Sequence, residues 1–267
     1  MIPVSTVTSE AKKYIQQRAQ AFADEHKVRI ILAIESGSRA WGFPSKDSDY
    51  DVRYIYAHSC TDYLSVRSPR DVIETDIVHD EALGVPFDCN GWDIRKVLCL
   101  AIKSNPVLYE WLQSPVTYMV DEPVVSKLRL FMQETVNLGT CKSHYYNLAN
   151  NAWAHIQETK DGVKIKRYCY ALRPALALQW MYSKNTVPPM DMHSLVAAIG
   201  HASLIDEIGS LIAIKASAEE NDLIPRNPIF DSFIEQTLRE KPRNIKEPVD
   251  PLYFEKADEL FRSIIDR

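Results

Sequence analysis

Val28 to Ile34 is a run of apolar, largely β-branched residues that leads into Glu35-Ser36-Gly37-Ser38. Ten residues beyond Ser38, Tyr50, Val52, Tyr54 and Tyr56 alternate with Asp49, Asp51 and Arg53. A period of two marks a strand with one buried face, and the glycine between the two runs marks a reversal of the chain. Strands are therefore expected near 28–36 and 49–57, with Asp49 and Asp51 on one face of the second.

Asp49 and Asp51 share a strand face, with their α-carbons ~7 Å apart, or two strand rises. Carboxylates so placed can converge on one cation, and an all-oxygen donor set suits a hard ion such as Mg2+ or Mn2+. Gly37 lets backbone N–H groups come close to phosphate oxygens, with the hydroxyl of Ser36 or Ser38 as a further donor. Turn and carboxylates together suit a metal-bound nucleoside triphosphate.

The rest of the chain divides in character. Ala11, Tyr14, Ile15, Ala19 and Phe22 recur at helical spacing behind Thr8 and Ser9, which predicts a helix over 7–26. A short helix at Asp62 to Val66, an extended stretch near 71–79 and a short apolar run from Val85 to Cys89 follow the two strands. Asp93 then stands as N-cap of a helix carrying Ile94, Val97, Leu98, Ala101 and Ile102, which Asn105-Pro106 ends. Beyond it, segments near 108–113, 124–138, 141–159, 165–183, 191–199, 203–219, 228–240 and 251–265 read as helical. The two prolines in Ser114 to Pro123 suggest a division there, so the expected fold class is α+β: a small mixed sheet in residues 1–120 and an all-helical domain in 121–267.

Composition narrows the partners. Residues 1 to 123 hold 18 acidic against 13 basic side chains, and residues 124 to 267 hold 18 of each. That balance fits a metal site in the first half and argues against a broad basic face for duplex DNA. Five cysteines without a C-x-x-C pair suggest neither a disulfide framework nor a zinc site. Met1 to Thr6 lacks the pattern of a secretion signal, and no run of eighteen apolar residues occurs, so a cytoplasmic location without membrane contact is expected.

Gly37-Ser38, ten residues, then Asp49-Tyr50-Asp51 resembles the signature of the DNA polymerase beta superfamily of nucleotidyltransferases. The stretches Gly91-Trp92-Asp93-Ile94, Lys103-Ser104-Asn105-Pro106, Glu110-Trp111-Leu112-Gln113 and Tyr168-Cys169-Tyr170-Ala171 resemble the YcgL-like group, some of whose members accompany RNA-repair genes; this resemblance covers about residues 30 to 182. It implies transfer of a nucleoside monophosphate from an NTP, ATP foremost, with two Mg2+ or Mn2+ ions and a helical domain closing over the nucleotide. It also implies a third carboxylate. Asp88 in the run Val85-Pro86-Phe87-Asp88 is favoured over Asp93, which suits a helix cap, and His79 and Asp80 come behind both.

Further candidates follow from position. Arg39, next to the turn, is a candidate for neutralising a phosphate or for an ordinary salt bridge. Lys166, Tyr170 and Arg173 lie at i, i+4 and i+7 on one helical face, suited either to triphosphate and base or to packing along apolar surface. Trp41 and Trp92 can stack on a base or pack, and the basic stretch Arg239 to Lys246 can meet RNA phosphates or stay solvated. The acceptor is open: an RNA end, a protein hydroxyl as in AMPylation, or a small molecule. A non-catalytic nucleotide-binding or antitoxin-like role and a glycosyltransferase reading of Asp-x-Asp are the rivals.

Overall fold

In a computed structural model of the chain, residues 7–159, 162–219, 222–243 and 248–266 are described. Met1 to Thr6, and Asn244 to Lys246 of the basic stretch, lie outside them. The described residues form two compact units, one of residues 7–39, 49–137 and 248–266, the other of residues 40–48, 138–159, 162–219 and 222–243.

The first unit is built on a mixed sheet. Helix α1 (Ser9–His26) is capped by the Thr8 hydroxyl, which accepts from the Ala11 N–H, and ends where Lys27 turns left-handed. Strands β1 (Arg29–Glu35) and β2 (Tyr50–Ala57) pair antiparallel; between them Gly37–Trp41 forms a short helix, α2, where the sequence suggested only a turn. After α3 (Cys60–Tyr63) come β3 (Val72–Glu74), β4 (Val78–Asp80) and β5 (Val85–Asp93), and β5 runs parallel to β2. Helices α4 (Ile94–Ile102) and α5 (Pro106–Leu112) lead to β6 (Thr117–Val120), which pairs with β1, and to α6 (Glu122–Thr135). The strand order is β3-β5-β2-β1-β6, with β4 against β5.

Period-two alternation separates the faces. Tyr50, Val52, Tyr54 and Tyr56 of β2 and Val85, Phe87 and Cys89 of β5 are buried in one core with Ala11, Ile15, Ala19 and Phe22 of α1. Asp51 and Arg53 of β2 and Asp88 of β5 are half-buried, pointing to the opposite face. α12 (Pro251–Ile265) packs on α4 and α6, and Ile264 O accepts from Arg29 Nη2 at 2.8 Å.

Several expectations shift. Ser59 and Asp62 form a reciprocal capping box, so α3 starts at Cys60, and Leu64 and Val66, read as helix, are exposed beyond its end. β5 passes through Gly91 and Trp92. The proline-containing segment read as a divider holds a strand, β6, and α6 belongs to the sheet unit because Val124, Val125, Leu128 and Met132 are buried there.

In the second unit, α7 (Leu138–Gln157) packs along α8 (Ile165–Lys184), which continues through Pro174 as a helix. α9 (Met192–Ala197), α10 (Ala202–Ser217) and α11 (Pro228–Leu238) complete it, with β7 (Val163–Lys164) and β8 (Leu223–Ile224) as a two-residue ladder. Cys89, Cys141 and Cys169 are buried, and none of the five cysteines is in a disulfide.

A Cβ at Gly91 would stand 2.8 Å from the ring of the fully buried Tyr56 and 3.2 Å from Tyr54 Cβ. Gly91→Ala should therefore lower stability by about 1–3 kcal/mol, read as a reduced urea midpoint with an unchanged slope.

Candidate functional site

Parallel pairing of β2 with β5 sets Asp51 directly beside Asp88. Adjacent strands lie about 4.8 Å apart, so the two carboxylates are neighbours on one face. Asp93, five residues further along, points elsewhere: it is buried, caps α4 by accepting from the Arg95 N–H at 2.8 Å, and accepts from Tyr63 Oη at 2.5 Å. Burial raises the Asp93 carboxyl above its ordinary range. Asp80 is buried and accepts from Tyr14 Oη and Arg18 Nη1, while His79 is exposed on the edge strand. Asp49 stands one residue ahead of β2 and is exposed.

Gly37 is part of the same construction. Its φ is +61°, and a Cβ there would fall 1.9 Å from Asp51 Oδ2, so only glycine leaves room for the carboxylate. Ser36 N–H donates to Asp51 O at 2.8 Å, which ties the end of β1 to the strand that carries the acid. Ser38 is half-buried at the start of α2. Arg39 is nearly buried: its Nε donates to Asp49 O at 3.0 Å and its guanidinium lies 4.0 Å from the centre of the Tyr50 ring. It thereby holds the Asp49 carbonyl and the Tyr50 ring.

Two residues carry roles that the sequence reading did not assign. Arg53 lies on the same face as Asp51; its Nη2 donates to Asp88 Oδ2 at 2.7 Å and to Asp51 Oδ1 at 3.3 Å. The signal was present in the alternation Asp49, Asp51, Arg53. Glu35 is fully buried at the end of β1, where Oε1 accepts from the Asp51 N–H at 2.9 Å and Oε2 from Tyr118 Oη at 2.6 Å. Desolvation pushes its carboxyl up to about 8, against the two hydrogen bonds that favour the charged form. An acid closing an otherwise apolar strand was the sequence signal for it.

In the helical unit, Lys166 and Tyr170 are exposed, with Lys166 Nζ 5.8 Å from the Tyr170 ring centre. Arg173 departs from the expected presenting face: it is buried, donates from Nε to Met190 O at 3.0 Å, and lies 4.4 Å from the Trp41 ring centre. Trp41 packs edge-on against Tyr170. Lys215, which the sequence did not single out, is buried beside Phe43 and donates to Ser45 Oγ at 3.3 Å. Trp92 stacks on Trp111 in the sheet unit, 3.8 Å between centres, as a packing residue.

Among the described residues no three His, Cys, Asp or Glu side chains are gathered closely enough to make a ready metal cage. The donor set nevertheless fits a hard divalent ion: Asp51 and Asp88 lie side by side, Asp49 is two residues from Asp51, and Gly37 leaves the room that the Asp51 carboxylate takes. No helix among the described residues is long and apolar enough to cross a membrane.

A family model described as the RNA repair pathway DNA polymerase beta family matches residues 11–263. YcgL of Bacillus subtilis strain 168, an uncharacterized protein, is 39% identical over 249 residues, covering 92% of this chain and 91% of that protein. A nucleotidyltransferase-like protein from Exiguobacterium sibiricum 255-15, known from its crystal structure, aligns over 93% of this chain and 75% of its own at 10% identity and a TM-score of 0.31, too distant a likeness to support an argument.

Glu35 makes stability depend on pH. With its folded carboxyl near 8 and the ordinary value near 4.5, the folded state binds the extra proton between those values. The stabilisation is complete below about pH 4.5 and is lost as pH rises through 8. Over that window the wild type should lose up to about 1.4 kcal/mol per pH unit relative to Glu35→Gln, measured by urea unfolding from pH 5 to 8; parallel profiles for the two proteins would contradict it.

Proposed function

Because the chain belongs to the RNA repair pathway DNA polymerase beta family, we propose that it is a metal-dependent nucleotidyltransferase that moves a nucleoside monophosphate from an NTP to a hydroxyl, with ATP as donor and an RNA end as acceptor. The observation that carries this reading is the side-by-side placement of Asp51 and Asp88 against Gly37. A core built for stability alone has no use for two neighbouring acids on a sheet face and a glycine that must lack a side chain to admit one of them.

Asp49 and Asp51 would hold Mg2+ or Mn2+, with Asp88 completing the acidic group. The ion's chemistry, when bound, is to offset the charge that gathers on the triphosphate as its α-phosphorus is attacked. Backbone N–H groups at Gly37 and Ser38 and the Ser38 hydroxyl donate to phosphate oxygens. Asp88 takes the proton from the attacking hydroxyl as the new O–P bond forms, and pyrophosphate leaves with the electron pair of the broken P–O bond. Glu35 and Arg39 act one step back: one fixes the Asp51 N–H, the other the Asp49 carbonyl. Within the helical unit, Arg173 supports Trp41.

Incubation with each α-labelled NTP, Mg2+ or Mn2+, and total RNA or total protein should label RNA from ATP. The double variant Asp49→Asn, Asp51→Asn should lose transfer by more than the ~10–100-fold typical of removing a group one shell out from a metal, with its circular dichroism unchanged. Label in protein instead would make the enzyme an AMPylating one, label in neither would point to a small-molecule acceptor or to nucleotide binding without transfer, and undiminished transfer by the double variant would remove the assignment.

A further inference from the structure

Arg53 is built into the acidic face. Its guanidinium makes four hydrogen bonds: Nη2 to Asp88 Oδ2 at 2.7 Å and to Asp51 Oδ1 at 3.3 Å, Nη1 to Val52 O at 2.9 Å and to Asp88 O at 3.2 Å. Two of these acceptors are backbone carbonyls, one on its own strand and one on β5, so the group is fixed to the sheet itself. Its side chain is 15% exposed, and those of Asp51 and Asp88 are 28% and 19% exposed. A pair so held is unlike a solvated surface ion pair, in which water and side-chain entropy undo most of the attraction. Guanidinium is planar and always charged, and here it spans two carboxylates on neighbouring strands.

The place between Asp51 and Asp88 is where a cation shared by those two acids would have to sit. Asp51 has little freedom to offer an alternative, since Oδ1 faces Arg53 and Oδ2 lies against Gly37. Arg53 bonds Asp88 through Oδ2, and Asp88 Oδ1 accepts no hydrogen bond among the described residues. The remaining acidic donor, Asp49, is exposed at the mouth of β2.

Resting on the nucleotidyltransferase reading, we infer that Arg53 is a resident cation that takes the position of a second divalent ion, so that the centre works with one Mg2+ or Mn2+, held on the Asp49 side together with the triphosphate. Arg53 is a positioning residue: it aligns Asp88 and neutralises the acid pair, and Asp88 serves as proton acceptor and not as a bridging ligand.

The test is a count of bound ions, independent of turnover. Mn2+ is titrated by electron paramagnetic resonance into the full chain saturated with the non-transferable analogue adenosine 5′-(α,β-methylene)triphosphate, for the wild type, Arg53→Met and Arg53→Gln. One ion per chain is expected for the wild type and two for each variant. Two ions in the wild type, or one in the variants, would overturn the inference while leaving nucleotidyl transfer standing. Absence of both analogue and Mn2+ binding in all three proteins would instead bring down the nucleotidyltransferase reading and this inference with it. Should the variants fail to fold by circular dichroism, the wild-type count decides alone, one ion sustaining the inference and two refuting it.

Discussion

The parallel ladder between β2 and β5 is the interaction on which the acidic face depends. In a parallel pair, residues that start level stay level, so Tyr50 opposite Phe87 obliges Asp51 to stand opposite Asp88. Period two then carries both acids to one face and the apolar residues flanking them into the α1 core. A slip of one residue would send Asp88 into that core and Phe87 out of it. Burial of Phe87, Cys89, Tyr50 and Val52 thus sets the register, and the register sets the chemistry.

Around this ladder the chain spends polar groups in ways that an ordinary core avoids. Glu35 is fully enclosed, yet both its oxygens are satisfied, one by the Asp51 backbone and one by Tyr118 on the strand at its other side. Arg39 and Arg53 are held by backbone carbonyls as well as by rings or acids. Each such contact fixes a segment adjacent to Asp49 or Asp51. Their cost in desolvation is offset by hydrogen bonding and by charge pairing across the strands.

Most of the secondary structure was legible from local pattern, since capping and periodicity are properties of neighbouring residues. Thr8 and Asp93 cap the helices they were expected to start, and Asn105, read as the end of one helix, also caps the next. Where the reading departed, the deciding contacts were distant in sequence. β6 is four residues long and flanked by prolines, and it is a strand because β1 offers it an edge. α6 reads like the helices that follow it, and only its burial in the sheet unit separates it from them. Arg173 has the spacing of a presenting residue, but Trp41, more than a hundred positions away, covers it.

By itself the sequence determined the two strands, the glycine break between them and the α+β order, because all of these follow from periods of two and 3.6 and from the backbone freedom of one residue. Only the tertiary structure decided that Asp88, and not Asp93, stands beside Asp51, that Glu35 lies uncharged-leaning beneath the site, and that Arg53 sits between the two acids. Those outcomes depend on which strands pair and in what register, and that choice is made by the burial of side chains far apart in the chain.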